Sequence, residues 1–219
     1  LQQGETAMKL LDRVLADLPA DQGALYLKAQ AQLVQNDPEA AIATANDAIA
    51  RDGKQPRMLR LRAMAWKNLG DEKAALEDYQ ATLRLNPNDV DALTNISLPL
   101  ARLMRQDEAT EAAQKAVALA PDNLEARRRL ASQLISNGEP AAARQQCLAL
   151  LDLDPRDTQV LEMLARLNSR DQNAELLPLA QKALKAAPPR SQDRANAAFA
   201  LARITDQAGD KAGFAAHND

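Results

Sequence analysis

Residues 56–89, PRMLRLRAMAWKNLGDEKAALEDYQATLRLNPND, decide how the whole chain reads. Leu59, Ala63 and Trp66 recur at helical spacing in the first half. Gly70-Asp71 interrupts the pattern, a second apolar run carries Ala75 and Tyr79, and Asn86-Pro87 stops it. The same punctuation returns at one constant interval along the chain. Pro19, Gly53, Pro87, Pro121, Pro155 and Pro189 hold one position, and Ala29, Ala63, Ser97, Ala131 and Ala165 hold another. Ala7, Ala41, Ala75, Ala109, Ala143 and Leu177 hold a third. Six turn positions without a register slip mark a helical repeat array. Such arrays present a surface rather than perform chemistry.

The pattern resembles the tetratricopeptide repeat, W-x2-L-G-x2-Y, then A-x3-F, then P. The second repeat carries it at Leu59, Ala63, Trp66, Gly70, Ala75, Tyr79 and Pro87. The third has Leu93, Ile96, Ser97, Leu100, Ala109, Ala116 and Pro121; the fourth has Leu130, Ala131, Leu134, Gly138, Ala143 and Pro155. The first and fifth depart from it, with Lys28 and Gln32 at apolar positions and Leu177 and Gln181 in place of Ala and an aromatic. The resemblance implies an all-α fold, a right-handed superhelical solenoid of helix hairpins. It divides one solenoid, 1–219, into full repeats 22–55, 56–89, 90–123, 124–157 and 158–191. Residues 1–21 are expected to hold the second helix (5–17) of a truncated repeat, and 192–219 a partial repeat with a first helix over 196–206. Repeat arrays end in polar caps, whereas this one stops mid-hairpin twice, so the chain is expected to be a piece of a longer protein.

Two prolines fall inside expected helices. Pro99 predicts a kink near Asn95 in the third repeat. Pro178 predicts a late start or a bend in the second helix of the fifth, which also lacks the glycine seen at Gly70 and Gly138.

Composition narrows the function classes. Net charge is −3, which gives no electrostatic drive towards nucleic acid. Aromatics are 2% of residues, too few to build base-stacking platforms. No apolar run approaches the ~18 residues of a membrane span. Cys147 is the only cysteine and His217 the only histidine, so neither a cysteine nucleophile with its base nor a nitrogen–sulfur metal site is expected. Glycine-rich phosphate loops are absent. No catalytic residue, cofactor or metal is therefore predicted. One cysteine suits a reducing compartment: the cytoplasm is expected, and the periplasm also accommodates it.

The resemblance implies where binding occurs. In this family the first helices line a concave groove through repeat positions 2, 5, 6, 9, 12 and 13. The second repeat offers Arg57, Arg60, Leu61, Met64, Lys67 and Asn68; the third offers Asp91, Thr94, Asn95, Leu98, Ala101 and Arg102. The fourth offers Glu125, Arg128, Arg129, Ser132, Ile135 and Ser136; the fifth offers Gln159, Glu162, Met163, Arg166, Ser169 and Arg170. These positions hold eight cations and three anions in a chain of net −3. The first repeat offers an apolar end with Tyr26 and Leu27. Arg60, Asn95 and Arg129 also match three of the five residues with which one subfamily grips a peptide's terminal carboxylate; Met64 and Glu125 depart from that pattern.

The expected function is non-catalytic protein or peptide binding, with acidic segments as ligands and a monomer or weak homo-oligomer as the state. The alternative is the arm of a bacterial enzyme. Residues 195–203, with Gly209-Asp210 and Phe214-Ala215-Ala216-His217-Asn218, resemble the last repeat before a sulfotransferase domain in bacterial proteins.

Overall fold

Twelve helices follow one another without a strand among the described residues. The computed structural model describes residues 2–52, 55–169, 172–173 and 175–208. Gly53, Arg170 and the tail 209–219, with His217, lie outside them. In chain order the helices are α1 (Gln2–Asp17), α2 (Gln22–Val34), α3 (Pro38–Arg51), α4 (Pro56–Leu69), α5 (Glu72–Leu85) and α6 (Val90–Arg102). There follow α7 (Gln106–Leu119), α8 (Leu124–Ser136), α9 (Pro140–Leu153), α10 (Thr158–Leu167), α11 (Leu177–Ala186) and α12 (Gln192–Ala208). First helices α2, α4, α6, α8 and α10 each start one repeat period after the last. The fold is an all-α helical-repeat solenoid. It divides into two units, Leu1–Leu119 and Ala120–Asp219.

Local chemistry starts the helices. An Asp or Asn side chain accepts the backbone N–H three residues on: Asp21 from Ala24, Asp37 from Ala40, Asp71 from Ala74, Asp89 from Ala92 and Asn123 from Ala126. Each satisfies a donor that the first turn leaves orphaned. Gln55 and Glu139 make no such bond, and there Pro56 and Pro140 open the helix with a preset φ.

Turns between paired helices share one conformation. Asn36, Gly70, Met104 and Gly138, at the same position of successive repeats, all have φ between 61° and 81°. The Gly70 N–H bonds to Lys67 O and the Asp71 N–H to Trp66 O, which closes the end of α4. Glycine adopts this backbone freely and asparagine tolerates it; methionine does neither, and the sequence did not flag Met104 as a turn residue.

In unit 1, α2 packs on α3, α4 on α5 and α6 on α7. One core cluster joins Leu25, Ala29, Ala41, Ala45, Met58 and Leu61; a second joins Ala63, Ala75, Tyr79, Ile96 and Leu100. Trp66, half-buried, packs against both. Leu61, expected in the groove, is thus core, as is Thr94, which is buried. Leu69, at the end of α4, is 42% exposed. In unit 2 one cluster runs from Ala131 through Cys147, Val160, Leu161 and Ala180 to Ala197 and Ile204.

Both prolines have structural answers. α6 is continuous from Val90 to Arg102 with Pro99 buried inside it. The missing N–H frees the Asn95 carbonyl, and the Pro99 carbonyl itself accepts the N–H of Leu103. Pro178 resolves as a late start: α11 begins at Leu177 with proline in its first turn. The intervening stretch is held by polar side chains, since buried Asn173 donates to Ala165 O and buried Asn168 accepts from Arg144 Nε. α12 extends beyond its expected 196–206 at both ends.

Ala131 is fully buried where helices cross, and Lys73 is exposed on α5. Ala131→Leu should cost about 1–3 kcal/mol through overpacking, and Lys73→Ala less than about 0.5. Urea midpoints compare the two, and equal midpoints would refute the packing register.

Candidate groove in the second unit

Ten side chains line one cavity of about 490 Å³ in unit 2. Glu125, Arg128, Arg129, Ser132, Ile135 and Ser136 come from α8; Gln159, Glu162, Met163 and Arg166 come from α10. All six groove positions of the fourth repeat are present, and four of the fifth. Helical spacing explains the grouping: positions 2, 5, 6, 9, 12 and 13 fall on one face, and the constant period repeats that face on the neighbouring first helix.

The cavity's charge differs from the simple excess of arginine. Arg128 donates from Nη1 to Glu125 Oε2 at 2.8 Å and from Nη2 to Asp157 Oδ2 at 2.5 Å. Burial pushes the pKa of its guanidinium down, and these two carboxylates more than offset that, so the net shift is upward. Arg129 Nη2 lies 3.0 Å from Glu125 Oε1, so Glu125 bridges two arginines. Arg166 Nε lies 2.9 Å from Glu162 Oε1, and its guanidinium sits 5.2 Å from the Phe199 ring centroid.

Asp157 does two things at once. Its Oδ1 accepts the Gln159 and Val160 N–H groups and starts α10, while its Oδ2 takes Arg128. Unit 1 repeats the device two repeats earlier. Asp89 Oδ1 accepts from Ala92 N, and its Oδ2 accepts from Arg60 Nη1 at 2.5 Å. Arg60 also lies 3.3 Å from Asp91. Each arginine therefore ties one first helix to the N-terminus of the next. The other repeats carry non-ionic residues or no matching pair here: Tyr26 with Gln55, Thr94 with Asn123, Glu162 with Ser191.

The remaining candidates are dispersed over unit 1. Arg102 pairs with Glu72, and Asn95 donates to Asp91 O. Arg57 is exposed with no ion pair among the described residues. Tyr26 packs half-buried against the core, while Leu27 is 53% exposed. Three carboxylates outside the groove positions, Glu72, Asp89 and Asp157, thus offset part of the cationic excess that the positions alone suggest.

A further ion pair escaped the sequence reading. Arg62 grips buried Asp78 through both Nε (2.8 Å) and Nη2 (2.7 Å), and its Nη1 reaches Asn46. The pair joins α3, α4 and α5. Its only sequence signal is an Arg on the far side of a helix from the groove, which periodicity does not distinguish from a solvated charge.

Cys147 occupies the slot of Tyr79 two repeats on and is fully buried. Burial, with Asp157's charge, pushes its thiol up to about 12. Among the described residues no group of three His, Cys, Asp or Glu could hold a metal ion.

The tetratricopeptide repeat model matches residues 1–65 and 105–167, and a second model of the same repeat matches 61–123. The chain belongs to the tetratricopeptide repeat family. Its structure is similar to pilF of Pseudomonas aeruginosa (TM-score 0.74, 18% identity, 90% of this chain and 88% of that one). It is also similar to a tetratricopeptide repeat protein of Parabacteroides merdae (0.70, 22%, 98% and 84%). YrrB, described as having an unusual peptide-binding site, is similar at 0.62 and 19%, over 82% of this chain and 93% of its own. At these identities the likeness establishes the fold alone. No curated protein matches the chain.

Asp157→Asn should keep the cap and lose the ion pair, costing about 1 kcal/mol. Asp157→Ala, which removes both, should cost about twice that, and equal losses in urea melts would show the pair idle. A thiol reagent at pH 8 should label native Cys147 far more slowly than the urea-unfolded chain, because the thiolate is the reactive form. The raised pKa also means stability falls as pH rises above the ordinary cysteine value of 9.0, where the unfolded thiol ionises first. Rapid labelling of the native protein would contradict the buried placement.

Proposed function

We propose that this chain is a non-catalytic scaffold that binds peptide segments of other proteins on the concave face of its first helices. The observation that carries this reading is the shared cavity. Ten residues placed by repeat position alone line one hollow, with charged, hydroxyl and apolar groups side by side. Binding surfaces of repeat proteins are built this way, one face extended by stacking. Pockets that fix orientation combine apolar walls with a few placed polar groups; here Ile135 and Met163 supply the former, and Arg129, Arg166 and Ser132 the latter.

In unit 1 the same positions offer Leu27 and, at 83% exposure, Val34 as an apolar docking surface. No helix among the described residues is long and apolar enough to cross a membrane. A reducing, cytoplasmic setting suits the buried Cys147.

Ser132 is exposed and lies in the cavity wall, so Ser132→Trp should fill the hollow without touching the core. Peptides captured by the wild type on an array should be lost by this variant while its far-UV circular dichroism stays helical. Wild-type binding should weaken between low and high salt, since charges exposed to solvent are screened over about 8 Å at physiological ionic strength. Peptides retained in full by Ser132→Trp would place binding elsewhere and reject the groove.

A further inference from the structure

The arginines of the unit 2 cavity differ in how much of each guanidinium remains available. Arg128 has two carboxylate partners and a side chain 28% exposed. Arg129, equally exposed, shares Glu125 with it. Arg166 is 61% exposed and has one ion-pair partner, Glu162, whose Oε1 lies 2.9 Å from its Nε. No other ion-pair partner of Arg166 occurs among the described residues, so its exposed guanidinium can take a ligand.

The orientation of that guanidinium is fixed twice. Glu162 lies four residues before Arg166 on α10, the favourable order for a helical ion pair. Phe199 of α12 supports the guanidinium's charge from its ring face, 43% exposed itself. A planar fork held at Nε and seated on an aromatic ring loses little freedom when its remaining two nitrogens grip a carboxylate. With Asp157 on Arg128, three arginines meet three carboxylates, so the attraction for an anion rests on incomplete pairing rather than on net charge. Pairing is least complete at Arg166.

We propose that Arg166, positioned by Glu162 and Phe199, is a carboxylate receptor for an internal Asp or Glu side chain of a bound peptide. The neighbouring residue of that peptide is aliphatic, because Ile135 and Met163 line the same cavity. The proposal rests on the peptide-groove reading and names the ligand class for it.

The probe is an array of peptides acetylated and amidated at their ends, each displaying one pair of adjacent residues in a Gly-Ser background. The strongest binders are then titrated beside versions with Glu→Gln or Asp→Asn. Acidic–aliphatic pairs should dominate, and the amide versions should bind roughly tenfold more weakly to the wild type, because a charge-assisted bond becomes neutral. In Arg166→Gln that acid preference should vanish, and in Phe199→Leu it should shrink. Lys73→Ala, on the exposed face of α5, should leave it unchanged. If Arg166→Gln loses its helical signal, Arg166→Lys carries the test, since it keeps the charge and loses the planar fork. An acid preference that survives Arg166→Gln, or binders that need a free C-terminal carboxylate, would overturn the proposal. Wild-type binding without acid preference would overturn it and leave the groove standing. No wild-type binding to any peptide would overturn both.

Discussion

Close approach of helices at small residues is the constraint from which the rest of the molecule follows. Ala29, Ala63, Ser97, Ala131 and Ala165 have no exposed surface at all. A side chain without bulk lets two backbones come together, and dispersion contacts then accumulate along both helices. The crossing fixes the angle of each hairpin, and with it the face each first helix turns outward. Side chains at positions 6 and 9 reach a groove in unit 2 because position 8 is held against the neighbouring helix.

Charge is distributed around that geometry in two layers. Asp89 and Asp157 start helices and hold Arg60 and Arg128, so these arginines maintain the spacing of successive first helices. A buried Asp shared between a cap and a guanidinium has its oxygens satisfied from two directions, which a surface ion pair does not achieve. Arg166 belongs to the other layer. Its exposure and single partner leave it able to exchange solvent for a ligand. Counting arginines along a groove therefore overstates its attraction for anions. The useful quantity is the number of guanidinium edges without an internal carboxylate.

The fifth repeat shows what happens when local signals weaken. α10 and α11 have ten residues each, against thirteen or fourteen in the helices of the preceding repeats. Buried Asn168 accepts from Arg144, and buried Asn173 donates to the Ala165 carbonyl. Buried polar groups need partners; Asn168 finds one on α9 and Asn173 one on α10. The crossing alanine, Ala165, is retained, so the repeat stacks even though its second helix begins late.

Period, helix order, turn residues and crossing positions were legible in the chain itself, because each depends on residues within one repeat. Helix starts at Asp21, Asp37, Asp71 and Asp157 are local chemistry, and so is the late start before Pro178. The groove positions came from the family resemblance carried along that period, and ten of them meet in one cavity. Pairing between repeats was not legible. Arg60 and Asp89 stand 29 residues apart, as do Arg128 and Asp157, and nothing in either sequence neighbourhood says that the side chains meet. The Arg62–Asp78 clasp and the seat of Arg166 on Phe199 were hidden for the same reason. Helical periodicity assigns a residue to a face. Which partner waits on that face depends on the neighbouring helix, and only the stacked hairpins bring that helix into place.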